Sequence, residues 1–95
     1  MDENKRLHAT VQGRVQGVGF RYYVLECANR LALNGWVRNR FNGDVEVVAE
    51  GPQIKLDTLA EALERGSRSS NVTRVNQQID AATGEFDRFR IRVTG

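Results

Sequence analysis

Residues 35–50 read GWVRNRFNGDVEVVAE, two runs of alternating side chains around an Asn-Gly pair. Alternation on both sides of a turn signal predicts a β-hairpin. A two-residue turn would place Asn39 opposite Glu46. A three-residue loop at 41–43, with its glycine in the left-handed conformation, would instead place Asn39 opposite Val45.

The charges along the hairpin favour the three-residue loop. That register opposes Arg38 to Glu46 and Arg40 to Asp44, and opposite charges across neighbouring strands are stabilising. It also collects Val37, Val45, Val47 and Ala49 on one face, and Asn39 falls among them. A lone amide on an apolar face needs a reason, so Asn39 is the first candidate site residue.

Hydrophobic periodicity outside the hairpin predicts two helices and further strands. A half-buried strand is expected over 7–13, followed by a helix over 20–33 for which Asn34 and Gly35 supply the stop. A second helix is expected with Pro52 in its first position and Gly66 at its end. A strand within 72–79, of uncertain register, and a terminal strand over 89–93 complete the chain.

The order of these elements is β-α-β-β-α-β with a short extra strand at the C-terminal end. It predicts an α+β, ferredoxin-like sandwich, with two helices on one face of a mixed, mostly antiparallel sheet. The 95 residues suit one domain, residues 1–95, with residues 1–6 as a flexible N-terminal tail. The fold hosts RNA binders, metallochaperones and enzymes, so it leaves the function open.

Arginine dominates the charge of the chain: it supplies twelve of the fourteen basic residues, against twelve acidic ones. The net charge of +2 is too small to imply a nucleic-acid partner. One cysteine excludes an internal disulfide framework, and one histidine excludes a His-rich metal site. The charged start of the chain and the short apolar runs predict a cytoplasmic protein without a membrane partner.

Residues 13–21 read GRVQGVGFR, a glycine-rich connection between the first strand and the first helix. Glycines let successive N–H groups face one concave surface, and a helix N-terminus adds unpaired donors, so the segment predicts an anion site. Arg21 lies in the first helical turn, where its charge opposes the helix dipole unless an anion is bound. A tight turn with a solvated arginine is the alternative. The pattern is neither a Walker A loop nor a dinucleotide-binding fingerprint.

Three motifs carry a resemblance to a known family. The segment GRVQGVGFR at 13–21 closely resembles the signature loop of the acylphosphatases. The family's second signature, Gly-Trp-Val-x-Asn, matches residues 35–39, and a third stretch, Val-x-Val-x-Ala-x-Gly-Pro, matches residues 45–52. The motifs occur in order and span most of the chain.

The resemblance implies hydrolysis of a carboxyl-phosphate anhydride to a carboxylate and inorganic phosphate. It implies that Arg21 binds the phosphoryl oxygens and that Asn39 orients the attacking water. It assigns the remaining phosphate contacts to the backbone N–H groups of Gln16, Gly17, Val18, Gly19 and Phe20. No metal or cofactor is expected, phosphate is expected to be a product and competitive inhibitor, and a monomer suffices.

Several other residues are predicted to have structural roles only, and two alternative functions of the chain stay open. Cys27 is expected to pack in the core, His8 to lie on the surface, and Tyr22 and Tyr23 to line the rim of the site or to pack elsewhere. Trp36, among arginines on the open sheet face, allows a ferredoxin-like RNA-binding module, although the consensus strand of such modules is absent. The other alternative is a non-catalytic, acylphosphatase-like accessory domain.

Overall fold

Seven helices and strands follow one another in the structure, a computed structural model that describes residues 3–95. The elements are β1 (Asn4–Arg14), α1 (Phe20–Arg30), β2 (Asn34–Asn39), β3 (Val45–Pro52), α2 (Gln53–Arg65), β4 (Asn71–Ala81) and β5 (Phe89–Ile91). This order confirms the predicted β-α-β-β-α-β arrangement with a short extra strand. The terminal strand is shorter than predicted, because it ends at Ile91 rather than at residue 93.

The five strands form one sheet in the order β4-β1-β3-β2-β5. The pairs β1–β3, β1–β4 and β2–β3 are antiparallel, and β2–β5 is parallel. The sheet is therefore mixed and mostly antiparallel, as the sequence predicts, and the helices α1 and α2 pack on it.

The core lies between the sheet and the two helices. Alternation in β1 buries Leu7, Ala9 and Val11 completely, whereas the residues between them stay partly exposed. The helices contribute buried side chains at helical spacing: Phe20, Val24 and Ala28 from α1, and Leu56, Leu59, Ala62 and Leu63 from α2. Burial of these side chains from both layers is the main force that holds the helices on the sheet.

The β2–β3 hairpin adopts the three-residue register. Asn39 pairs with Val45, Val37 with Val47 and Arg38 with Glu46. The Arg40 N–H donates to the Asp44 carbonyl at 2.8 Å, which closes the loop at residues 41–43. The hairpin was thus correctly predicted from its charges and its apolar face.

The expected N-terminal tail over residues 1–6 is wrong for residues 4–6. Asn4 pairs with Pro52 of β3, and Arg6 pairs with both Glu50 of β3 and Asp80 of β4. Backbone pairing on two sides, together with the contact of Arg6 with Glu50 at 3.8 Å, holds this segment in the sheet. Residues 1–2 of the expected tail lie outside the described residues.

The first helix ends earlier than predicted, and Gly35 does not end it. Helix α1 stops at Arg30, and Ala32 takes the left-handed conformation with φ 56°. The N–H of Leu33 donates to the Ala28 carbonyl at 2.9 Å and that of Ala32 to the Asn29 carbonyl at 3.1 Å, the bonds of a Schellman motif. Gly35 lies inside β2 instead, where a Cβ atom would stand 1.9 Å from the Val48 carbonyl oxygen.

Other boundaries shift by one or two residues. Strand β1 extends to Arg14, so the glycine loop spans residues 15–19 rather than 13–19. Pro52 is the residue before α2 rather than its first residue, with extended backbone angles, and Gly66 ends the helix as predicted. Among the described residues, neither helix is long and apolar enough to cross a membrane.

Candidate active site

Two loops meet at one end of the sheet: the glycine loop at 15–19 and the β2–β3 turn at 40–44. The Gln16 side-chain nitrogen Nε2 donates to the carbonyl oxygens of Arg40 at 2.7 Å and Asp44 at 2.8 Å. Because the first loop leads into Arg21 and the second directly follows Asn39, these bonds bring the two candidate motifs together.

The glycine loop is curled and anchored at both ends. Gly17 and Gly19 have φ of 71° and 74°, the left-handed region that glycine adopts without steric cost. No atom lies within 4 Å of a Cβ built on either residue, so backbone conformation rather than space favours glycine there. Val15 and Phe20 are buried in the core, and Val18 packs partly against it. A loop of this kind can present several N–H groups to one anion.

The start of α1 leaves backbone donors unpaired within the helix. The first intrahelical bond runs from the Tyr23 N–H to the Gly19 carbonyl at 3.0 Å. The preceding N–H groups of Phe20, Arg21 and Tyr22 therefore have no acceptor inside the helix. Gly19 supplies no side-chain cap, and the first turn contains no acidic residue. Such a helix end favours an anion.

Arg21 lies in this first turn and is partly exposed. Its guanidinium forms no ion pair or hydrogen bond with another side chain among the described residues. A positive charge at a helix N-terminus is unfavourable by a few tenths of a kcal/mol to about 1 kcal/mol. An anion between the helix end and the guanidinium would make the local electrostatic interaction favourable and would accept forked hydrogen bonds from Arg21.

Asn39 is the last residue of β2 and is partly buried. Its oxygen Oδ1 is buried and has no hydrogen-bond partner among residues 3–95. Leaving a buried polar atom unpaired costs about 1–3 kcal/mol, so such atoms are uncommon. Asn39 directly precedes the turn that Gln16 binds, so this unpaired oxygen lies at the end of the sheet that carries the glycine loop.

A carboxylate cluster on the open face of the sheet corrects one predicted ion pair. Arg40 does not pair with the Asp44 side chain but donates to Glu46 Oε1 at 3.0 Å. Arg38 donates to the same oxygen at 2.8 Å, and His8 Nε2 lies 2.7 Å from Oε2. Burial raises the pKa of Glu46, but the hydrogen bonds from His8, Arg38 and Arg40 outweigh it and lower that pKa to about 2. His8 is thus tied to the sheet and does not join the glycine loop.

Trp36 is covered by arginines rather than open to bases. The guanidinium carbons of Arg38 and Arg92 lie 5.0 and 4.8 Å from its ring centroid, and only 8% of the residue is exposed. RNA-binding modules of this fold stack bases on exposed aromatic rings of the sheet. The arrangement around Trp36 therefore disfavours the RNA-binding alternative.

The remaining candidates lie outside the site. Cys27 is half-buried and packs against the core from α1, as predicted. The Tyr23 hydroxyl donates to the Ala62 carbonyl of α2 at 2.8 Å, and burial raises its pKa. Tyr22 is exposed and lines a surface groove with Leu25. Within residues 3–95, no group of three His, Cys, Asp or Glu side chains is placed to hold a metal ion.

Sequence reasoning missed the role of the Gln16 side chain. It identified Gln16 as a source of a backbone N–H, whereas the side chain is what connects the two loops. The partners lie 24 and 28 residues away in the sequence, so no local pattern indicates them. The amide at the centre of GRVQGVG, among apolar and glycine neighbours, is the one available signal.

Comparison with known proteins gives one consistent result. A model of the acylphosphatase family matches residues 7–91. An acylphosphatase from Moorella thermoacetica is 49% identical over 87 residues, which cover 92% of both chains. The crystal structure of the Bacillus subtilis acylphosphatase superposes with a TM-score of 0.89 at 42% identity, covering 93% of this chain and 98% of the other. A Coxiella burnetii acylphosphatase superposes with a TM-score of 0.88 at 39% identity, covering 95% and 94%.

The fold and these matches define an α+β enzyme domain of ferredoxin-like architecture. The chain belongs to the acylphosphatase family. The resemblance read from residues 13–21 and 35–39 is confirmed, and so is the assignment as an enzyme.

Proposed function

We propose that the anion held at the glycine loop is the phosphoryl group of an acyl phosphate, which the enzyme hydrolyses to a carboxylate and inorganic phosphate. Arg21 and the backbone N–H groups of residues 16–20 hold the phosphoryl oxygens. Asn39 Oδ1 accepts a hydrogen bond from the attacking water. The observation that carries the proposal is the unpaired, buried Oδ1 of Asn39, because phosphate binding alone would require no acceptor there.

The reaction needs only positioning and charge stabilisation from the protein. The water oxygen bonds to phosphorus while the bond from phosphorus to the acyl oxygen breaks, and the carboxylate leaves with the electron pair. The water proton passes to a phosphoryl oxygen, so the substrate serves as its own base. A carboxylate is a good leaving group and needs no strong general acid. Phosphoryl transfer of this kind depends mainly on orientation and on donors placed around the phosphoryl oxygens.

The remaining features of the proposal concern partners and setting. The substrate is a small acyl phosphate, and inorganic phosphate competes for the same loop. We place the enzyme in the cytoplasm as a monomer, without nucleic-acid or membrane partners, because its single cysteine and balanced charge are typical of such proteins. No metal or other cofactor is assigned to the reaction.

The test compares the wild type with Arg21→Gln. The measurement is hydrolysis of benzoyl phosphate by each purified protein in the presence of a metal chelator. The wild type should turn over and be inhibited competitively by phosphate. Arg21→Gln should lose about 10³-fold or more in kcat/KM, the scale of a transition-state arginine. Arg30→Gln, on the same helix, breaks only the exposed pair with Glu26 and should act as wild type.

Two outcomes would contradict the proposal. Equal rates for Arg21→Gln and the wild type would remove Arg21 from the site. Phosphate binding without turnover by the wild type would instead favour a non-catalytic, acylphosphatase-like accessory domain.

A further inference from the structure

The Gln16 side chain extends from the glycine loop to the neighbouring turn, where it donates both of its N–H groups. Its nitrogen Nε2 donates to the carbonyls of Arg40 and Asp44 at 2.7 and 2.8 Å. The two N–H groups on one amide nitrogen can satisfy both acceptors, which an ionised carboxylate cannot do because it has no donor. Among residues 3–95 these are the only side-chain hydrogen bonds between the glycine loop and the turn.

The two carbonyls that Gln16 binds are the ones that close the turn. The Arg40 carbonyl also accepts the Gly43 N–H at 3.2 Å, and the Asp44 carbonyl accepts the Arg40 N–H at 2.8 Å. Gln16 therefore braces the turn across its base. Arg40 directly follows Asn39, so the brace acts one peptide away from the amide proposed to hold water.

The turn is also fixed from the other side. The Arg40 guanidinium is bound by Glu46, whose side chain is 14% exposed and which also binds Arg38. The Asn39 carbonyl accepts the Gly95 N–H at 3.0 Å. The sheet ladder connects Asn39 through Val45 to Val11 of β1, and the Gln16 contact adds a direct link between the turn after Asn39 and the glycine loop.

We infer that Gln16 is a positioning residue, which sets the water-binding amide of Asn39 at the correct distance from the phosphoryl group in the glycine loop. This inference rests on the proposed function. The side chain acts through the turn that follows Asn39, whose carbonyls it binds, rather than on the phosphoryl group. A displacement of about 1 Å between catalytic groups can cost about 100-fold in rate, so a link of this kind affects turnover more than phosphate binding.

Gln16→Leu tests the inference, because leucine keeps much of the side-chain bulk and loses both donors. Expected is a 10- to 100-fold lower kcat for benzoyl phosphate, on the order set by misplacement of a catalytic group. The inhibition constant of phosphate should stay within roughly threefold, because the backbone donors and Arg21 are retained. Gln77→Leu, the same change at an exposed position of β4, is the matched control and should behave as wild type.

The same substitution in an Asn39→Ala background separates positioning from general structural damage. If Gln16 acts through Asn39, Gln16→Leu should cost less than about twofold in kcat once the amide is gone, since coupled residues are non-additive. The same loss in both backgrounds would overturn the inference, as would a fall in phosphate affinity that parallels the fall in kcat. A wild type unable to hydrolyse benzoyl phosphate would instead overturn the proposed function.

A measurement on the unaltered protein covers the case in which Gln16→Leu does not fold. The side-chain amide protons of Gln16 should exchange with deuterated water more slowly than those of exposed Gln77, as followed by NMR. Equal exchange rates would show that the two bonds do not hold the turn, and would overturn the inference.

Discussion

The two ends of the sheet differ in whether selected polar groups have hydrogen-bond partners. At the end that carries the glycine loop, Asn39 Oδ1 is buried without a partner and Arg21 stands at a helix N-terminus without a counterion among residues 3–95. At the far end, Glu50 is 6% exposed and accepts the N–H groups of Thr83 at 2.8 Å and Gly84 at 3.0 Å. It also accepts the Thr83 hydroxyl at 3.0 Å and lies 3.8 Å from Arg6.

The same contrast runs along α1. Its N-terminus has no side-chain cap, whereas its C-terminus is closed by the Schellman bonds and carries Arg30 in the last turn, the favourable sign for the helix dipole. Glu50 and the C-terminus of α1 are paired with protein groups, whereas Arg21 and Asn39 Oδ1, on the elements next to the proposed phosphate position, have no protein partner within residues 3–95. Each of the following experiments alters one side of this contrast.

Glu50→Gln should produce the largest loss of stability. It replaces a buried carboxylate, which accepts two backbone N–H groups and one hydroxyl, by an amide that can accept at only one oxygen, and the lost hydrogen bonds to a charged group cost about 3–4 kcal/mol together. Urea unfolding followed by the fluorescence of Trp36 gives the value. The kcat of the folded variant should not change. An unfolding free energy within about 0.5 kcal/mol of wild type would show that the hydrogen bonds of Glu50 do not stabilise this end of the sheet.

Glu46 should make the protein sensitive to acid. Its pKa is about 2 in the folded protein against 4.5 for the ordinary group, so its stabilisation is present above pH 4.5 and is lost as the pH falls toward 2. For a side chain that is 14% exposed this amounts to about 2–3 kcal/mol. The difference in unfolding free energy between wild type and Glu46→Gln should therefore shrink between pH 7 and pH 3.

Glu61→Gln, an exposed change on α2, is the control for this titration and should follow the wild type at every pH. A difference between wild type and Glu46→Gln that does not vary with pH would show that the three donors do not stabilise the ionised form.

Ala32→Gly should have the smallest effect, and it should be a gain. Ala32 has φ 56° at the left-handed position of the Schellman motif and is exposed. Glycine relieves about 1–2 kcal/mol of strain in the left-handed conformation. It also raises the entropy of the unfolded chain, which offsets part of this gain, so the net stabilisation should be about 0.5–1 kcal/mol. Ala60→Gly, inside α2, should instead destabilise by about 1 kcal/mol. A loss of stability in Ala32→Gly would contradict the observed helix end.

Much of the fold follows from local pattern. The opposed charges and the shared apolar face of the hairpin at 35–50 were enough to predict the register that places Asn39 opposite Val45. The left-handed Ala32 was missed because glycine normally takes that position, and Gly35 stood three residues further on. The strand at residues 4–6 was missed because its partners, β3 and β4, lie far away in the sequence.

The site was predictable in its parts but not in its assembly. Motifs at 13–21 and 35–39 identified Arg21 and Asn39, but no periodicity indicates that Gln16 binds the carbonyls of Arg40 and Asp44. For a similar reason, the sequence predicted Asp44 as the partner of Arg40, whereas the structure shows Glu46. Side chains on one sheet face can reach a diagonal neighbour, and the choice among acceptors depends on burial.

The most direct measurement is the paired determination of kcat and unfolding free energy for Asn39→Ala, with Asn29→Ala on the exposed face of α1 as control. If Oδ1 is left unpaired to hold water, kcat for benzoyl phosphate should fall about 10²–10³-fold. The unfolding free energy should not fall, because alanine removes an acceptor whose unpaired burial costs about 1–3 kcal/mol, and the phosphate inhibition constant should stay near wild type. A variant that keeps its kcat within about twofold, or loses stability in proportion to activity, would contradict the account.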